Sequence, residues 1–233
     1  MNRTEVIYHD EFMIALNKRP GIPVQPDRSG DNSLLDIARE ATNRTPYLVH
    51  RIDRPVSGVV LFASTAKSAA RLSALFRDQK VRKTYWAIVD SAPPAESGTL
   101  EHEILFDHGT NRSSTRAAGH EEPTQQSSHT ASGRPARLDY RVIGHSDRYW
   151  FLELVPATGR HHQIRAQLAA IGCHIKGDVK YGAKRTNPGG GIHLHARSLS
   201  FAHPASGDPV SLTAAPPQDA LWQLFEQSVG DAD

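Results

Sequence analysis

Apolar residues in this chain fall into short runs separated by turn-forming residues, and the spacing inside each run predicts its element. Val59 to Ala63 is apolar without a break, with Ser57-Gly58 before it and Ser64-Thr65 after it, which predicts a buried strand. Glu5 to Leu16 predicts two short strands around a His9-Asp10-Glu11 turn. Asn17 to Pro23 breaks the pattern with prolines and a glycine and reads as a loop. Leu34, Ile37, Ala38 and Ala41 recur at the spacing of a one-faced helix, with Asn32 or Ser33 as its cap. Ala66, Ala69, Leu72, Leu75 and Phe76 mark a second helix over 65–80, with Lys67, Arg71 and Arg77 off its apolar face. Val81 to Asp90 reads as a strand that puts Tyr85 and Trp86 on opposite faces.

Further along, Leu138 to Ile143 and Tyr149 to Val155 predict an antiparallel pair. Between them and the preceding strand, His102 to Ala136 is polar, rich in Ser and Thr and without period, so a long mobile loop is expected at about 107–137. Ile164, Leu168 and Ile171 predict a helix that Thr158 can cap and Gly172 stops. A strand follows over His193 to Phe201, and a short terminal helix over 216–225.

Composition narrows the class. A chain of 233 residues, with 38% hydrophobic and 22% charged residues, is globular and fits one large domain or two small ones. The single cysteine excludes an internal disulfide framework and any multi-cysteine zinc site, and suits a reducing compartment. The N-terminus carries no apolar run of signal length and no stretch approaches a membrane span, so a cytoplasmic protein is expected. A net charge of +2 says little about partners, but its distribution says more. Residues 50–90 carry eight Lys or Arg against three acids, and 156–187 carry six against one. Residues 203–233 carry five acids and no Lys or Arg. Two basic segments and an acidic tail suit a face that binds a polyanion, though two solvated surfaces would look the same.

The densest chemistry lies in His50-Arg51-Ile52-Asp53-Arg54-Pro55-Val56-Ser57-Gly58, just before the buried strand. A carboxylate flanked by two guanidinium groups is expected to stay ionised, and the arginines suit phosphate. An ordinary surface ion pair beside a turn would carry the same charges. The helix start near Arg160 offers amides to a phosphate, and Arg165 sits one turn beyond His161. Thirteen histidines invite a metal, yet His161 and His162 point about 100° apart on a helix, and no cysteine or carboxylate cluster completes a set around His193 and His195. No metal site is expected.

The segment His50 to Ala63 resembles the HRLDR-x-TSG-LLLFA signature of the RluA-type pseudouridine synthases, departing at Ile52 (usually Leu) and Val56 (usually Thr). Lys83-Thr-Tyr-Trp-Ala-Ile-Val89 resembles that family's K-x-Y-x-A-x-V motif. Thr158 to Gly182 resembles its TGRxHQIR block, matching at Thr158, Gly159, Arg160, His162, Gln163, Ile164, Arg165, Gly172, Ile175, Gly177, Asp178, Tyr181 and Gly182. Gln167 stands where His is usual, and Cys173-His174 where His-Pro is usual. Asn17-Lys18-Arg19-Pro20 resembles the NKPxG segment with Arg19 interposed, and Leu194 to Pro204 the LHA-x-x-L-x-F-x-HP ending. These matches run from about Leu16 to Pro204.

The resemblance implies an α+β fold, a curved and mainly antiparallel sheet with peripheral helices and a central RNA cleft, forming one catalytic domain over 1–233 with no preceding S4-type module. It implies isomerisation of uridine to pseudouridine in rRNA or tRNA, without metal, redox cofactor or ATP. The carboxylate would be Asp53, acting as nucleophile or proton acceptor, with Arg165 against it and Tyr85 on the base; on its own pattern Tyr85 reads as a core aromatic. Leu194 would complete the uracil pocket, and Arg54 would fill the stack left by a flipped nucleotide. Lys18, Arg160, His162 and Gln163 would contact RNA or substrate. The arginines at 112, 116, 134 and 137 would let the loop clamp RNA. The expected partner is structured RNA, with no membrane, no obligatory protein partner and a monomeric state. Two rivals are a catalytically silent RNA-binding protein on the same scaffold and a metal-assisted RNA hydrolase, which would need paired carboxylates that these motifs lack.

Overall fold

Val59 to Ala63 does become the buried core of the sheet. In a computed structural model, which describes residues 4–117 and 133–230, strand β4 (Ser57–Ala63) is buried at every position. Before it come β1 (Glu5–His9), β2 (Met13–Lys18), helix α1 (Leu34–Thr42) and the two-residue β3 (Tyr47–Leu48). After it come α2 (Ala66–Arg77), β5 (Arg82–Val89), β6 (Ser97–Asp107), β7 (Arg112–Ala117), β8 (Arg134–His145) and β9 (Trp150–Pro156). The chain ends with α3 (Gln163–Ala170), β10 (Leu194–Ala202), β11 (Pro209–Thr213) and α4 (Ala220–Gly230). Ser33, one of the two caps the sequence offered, caps α1, and Thr65 caps α2, each through a reciprocal capping box.

Among the described residues the sheet has eleven strands in the order β1-β2-β4-β10-β5-β9-β8-β6-β7, with β11 on β10 and β3 on β4. All these pairings are antiparallel except β4 with β10, which meet in only two registered pairs, Ser57–His195 and Gly58–Ala196. Gly58 is required at that junction. Its φ is +118° and a Cβ there would lie 2.2 Å from the Ala196 carbonyl oxygen. The main core fills one side of the sheet with α1 and α2, while Trp86, Ile88 and Phe151 pack against Trp222 and Phe225 of α4 on the other. Tyr85 and Trp86 therefore do part to opposite faces. The α+β class holds.

His195 locks the β4–β10 junction. It is fully buried, and its Nε2–H donates to the Ala214 carbonyl at 3.0 Å, so Nδ1 accepts from the Ser57 hydroxyl at 2.9 Å. Burial pushes its pKa down from 6.5 to about 4. The unfolded chain thus gains a proton below pH 6.5 that the folded ring refuses until about pH 4. Stability from this ring is complete above pH 6.5 and is lost as the pH falls toward 4, by about 1.4 kcal/mol per pH unit. Thermal melts are expected to fall more steeply between pH 6.5 and 4.5 for the native chain than for His195→Gln; equal slopes would show that this imidazole is not held neutral by burial.

The expected loop at about 107–137 is corrected in part. β7 and the start of β8 lie inside it, and β6 runs up to Asp107. Of these strands only β7 is the edge of the sheet, and its one buried side chain is Ser113, so no apolar two-residue period marks it. β6 buries Leu100 and Ile104 on one face but has His102 between them, which blurs its period. Asp107 closes the β6–β7 turn by accepting from Gly109 N at 2.8 Å and the Thr110 hydroxyl at 2.7 Å. Residues 118–132 of the expected loop lie outside the described residues. Of its four arginines, Arg116 pairs with Glu103, Arg137 with Glu101 and Asp139, and Arg112 lies over the Tyr181 ring.

Candidate active site

The segment between β3 and β4 turns sharply at Asp53, where the Val56 amide donates to the Asp53 carbonyl at 3.0 Å. That turn is bolted from outside. Gly21 N and the Lys18 ammonium both donate to the Arg54 carbonyl, at 2.8 and 2.9 Å, and Ile192 N donates to the Pro55 carbonyl at 3.1 Å. The Asp53 side chain is left 21% exposed at the floor of a cleft of about 580 Å³.

Arg165 reaches Asp53 from α3. Its Nη1 donates to Asp53 Oδ2 at 3.0 Å, while Nε and Nη2 fork onto both oxygens of Asp178, at 2.7 and 2.8 Å. Arg165 and Asp178 are buried, and although burial works against the guanidinium's charge, the two carboxylates raise its pKa above the usual range. The Tyr181 ring also faces this guanidinium, 4.8 Å away. The paired acid is thus not held by its sequence neighbours. Arg51 and Arg54 make no ion pair with it among the described residues, and Arg54 is paired with Asp27 and Asp31 instead.

The two basic segments do converge. Arg51, Arg77 and Lys83 from the first, and Arg160 and Arg165 from the second, line the same cleft, in which Asp53 is the one carboxylate among the lining residues. Tyr85 and Leu194 line it too, and the Tyr85 hydroxyl has no hydrogen-bond partner among the described residues. Burial, followed by the Asp53 carboxylate, pushes the Tyr85 pKa up, so the phenol meets a ligand protonated. His50 stacks on Phe76, with ring centroids 4.5 Å apart, and its Nε2 accepts from Leu61 N at 2.9 Å. Burial lowers its pKa to about 3 and keeps it neutral.

Other expected contacts are corrected. Lys18 is fully buried, its ammonium donating to the carbonyls of Arg19, Ile22 and Arg54 at 2.9–3.0 Å, with burial lowering its pKa to about 7. It braces the Asp53 turn and cannot touch RNA. Arg54 is not among the cleft-lining residues; its guanidinium is engaged by Gly21 O, Asp27 and Asp31. Gln163 is buried, accepting from the Thr158 hydroxyl and Arg160 N while donating to Arg137 O, so it shapes the 158–160 loop. Thr158 caps no helix: α3 begins at Gln163, behind His162 in the left-handed region at φ 49°. Only the Arg160 side chain remains of the expected phosphate seat.

His162 is placed against Asp53, with Nε2 3.5 Å from Oδ2, and is mostly buried. Sequence reasoning gave no role to Asp178, Tyr181 or Lys83, although each stands at a matched motif position; their partners, Arg165, His162 and the Thr158 carbonyl, come from other segments and only the fold brings them together. Among the described residues no three His, Cys, Asp or Glu side chains gather as a metal site.

A family model described as RNA pseudouridylate synthase matches residues 12–170. A tRNA pseudouridine synthase C of Yersinia pestis is 32% identical over 238 residues, covering 97% of this chain and 91% of that one. One from Pectobacterium carotovorum subsp. carotovorum is 34% identical over 235 residues, and there the match spans 94% of this chain but only 60% of the relative. Among solved structures, human RNA pseudouridylate synthase domain containing 4 superposes with a TM-score of 0.74 at 24% identity, covering 97% of this chain and 91% of that one. Human RNA pseudouridylate synthase domain containing 1 gives 0.72 at 21% identity, covering 97% and 94%.

Proposed function

Because the chain belongs to the RluA-type RNA pseudouridylate synthase family, we propose that it isomerises uridine to pseudouridine in tRNA, with Asp53 as the reacting carboxylate. The observation that carries this reading is the lone Asp53 carboxylate, held by Arg165 in a cleft whose lining residues include lysine and arginine but no other carboxylate. The reaction cleaves the N1–C1′ glycosidic bond, turns the uracil and rejoins it through C5. Asp53 either attacks the sugar or takes a sugar proton, and Arg165 orients it through a guanidinium that Asp178 holds rigid. Leu194 and the Tyr85 ring supply apolar walls for the base, and the protonated Tyr85 hydroxyl is available as a donor to it. Arg51, Arg77, Lys83 and Arg160 attract the phosphates on either side. A uridine stacked in a helix could not bring its sugar to the floor of this cleft, so the nucleotide enters extruded. The relatives' names favour tRNA over rRNA. The proposed setting is the cytoplasm, with a monomer acting on RNA; no helix among the described residues is long and apolar enough to cross a membrane.

Tritium release from tRNA carrying 5-tritiated uridine, assayed in EDTA, tests the reading. Release with the RNA intact is expected. Binding without release would support the silent RNA-binding protein, and strand breaks that need magnesium would support the hydrolase. Comparison of tRNA and rRNA pools under the same conditions decides the substrate class.

A further inference from the structure

Asp53 has a second neighbour whose geometry is set by a chain of hydrogen bonds from elsewhere in the fold. The Ser113 amide of β7 donates to the Tyr181 hydroxyl oxygen at 2.9 Å, and that hydroxyl lies 2.9 Å from His162 Nδ1. Tyr181 is 3% exposed, so its own proton needs an acceptor, and Nδ1 is the one within reach among the described residues. Tyr181 therefore donates to Nδ1. The ring proton is thereby placed on Nε2, the nitrogen 3.5 Å from Asp53 Oδ2. Burial lowers the His162 pKa to about 3, against the pull of Asp53, so the ring stays neutral at physiological pH. Arg165 Nη1 touches the same Oδ2, while Oδ1 has no hydrogen-bond or ion-pair partner among the described residues.

We infer that His162 is a positioning residue for Asp53: a neutral imidazole, locked as its Nε2–H tautomer by the Tyr181 hydroxyl, that directs its N–H at Oδ2 and leaves Oδ1 as the reacting oxygen. At 3.5 Å the contact is longer than an ordinary hydrogen bond, so it acts on the carboxylate mainly through the N–H dipole. With His162 and Arg165 both directed at Oδ2, a rotation that exchanges the two oxygens is disfavoured, which keeps Oδ1 free to act. The inference rests on the reading of Asp53 as the reacting carboxylate. It also explains why β7, remote in sequence from both catalytic motifs, packs against α3: its Ser113 amide starts the chain, and its Ser113 hydroxyl donates to the His161 carbonyl at 2.7 Å.

Two measurements test it. Nitrogen-15 spectra of the imidazoles at pH 7 report the tautomer directly, without reference to activity. The Nε2–H form is expected for His162, and an Nδ1–H form or an imidazolium overturns the inference. Single-turnover tritium release supplies the second arm. His162→Ala is expected to slow release by about 10- to 100-fold with tRNA affinity within about threefold, and His162→Gln, whose amide nitrogen can stand near the Nε2 position, to recover most of the rate. Tyr181→Phe should slow release in the native background and add nothing in the His162→Gln background, since it acts through the ring it orients. Equal losses in the Ala and Gln variants, or a full Tyr181→Phe effect in both backgrounds, would refute the positioning role. Full activity in Asp53→Asn would remove the catalytic reading of Asp53 instead, and the tautomer spectrum would still decide how His162 is held.

Discussion

Asp53→Asn is expected to lower single-turnover tritium release by about 10³-fold or more while leaving tRNA affinity within about threefold. The substitution keeps the side chain's size and one carbonyl oxygen but removes the negative charge, and with it both the nucleophile and the proton acceptor. Folding should be little affected. Asp53 is partly exposed, and Arg165 still has both oxygens of Asp178 when the Asp53 partner is lost, so no buried charge is stranded. Removing a carboxylate from a cleft lined by Arg51, Arg77, Lys83, Arg160 and Arg165 leaves the attraction for phosphate intact or stronger. Filter binding and tritium release on one preparation separate the two quantities. Near-native release by this variant would remove Asp53 from the chemistry, whatever its place in the cleft.

Arg165→Met should cost both stability and activity, and Arg165→Lys should separate them. Methionine fills much of the same volume but strands the buried Asp178 carboxylate, a loss of about 3–5 kcal/mol. In a domain of this size that corresponds to a fall of roughly 10 °C in melting temperature. Lysine keeps the charge, so Asp178 retains a partner and most of the stability survives. Its single ammonium cannot reproduce a fork that grips Asp178 with two nitrogens and Asp53 with a third. Release by Arg165→Lys is therefore expected to fall about 100-fold, with a much smaller shift in melting temperature. A lysine variant with native turnover would show that the guanidinium serves the fold alone.

Legibility along the chain followed how much of an element's signal is local. The apolar run before Ser64 and the stripe over Ala66 to Phe76 are readable because burial dictates their spacing, and the α1 cap because a polar side chain must take up the first free amides. The β6–β7 hairpin was not, because β7 turns a serine rather than an apolar residue toward the interior, and β6 interrupts its inward apolar positions with His102. Within the site, Asp53 stood out as a motif residue. Lys18 was misjudged, and Gln163, though it lines the cleft, spends its amide on the fold: a polar side chain in a motif looks like a ligand contact until its burial is known. In the fold, three carbonyls surround the one, and the 158–160 loop and Arg137 O absorb the other. Arg54 shows the converse case, with Asp27 and Asp31 claiming a guanidinium that its place beside Asp53 had suggested for the nucleotide.

By itself the amino-acid sequence determined the order of most elements, the cap of α1, the two basic segments and the motifs that carry the family. Only the tertiary structure decided which charges meet. Asp53 and Arg165 lie 112 residues apart in the chain and 3.0 Å apart in space, and their contact exists because β10 joins β4 to β5 and brings α3 over the turn before β4. The cause is physical: element formation follows from a few neighbouring residues, whereas an ion pair between distant segments depends on every register in the sheet that separates them.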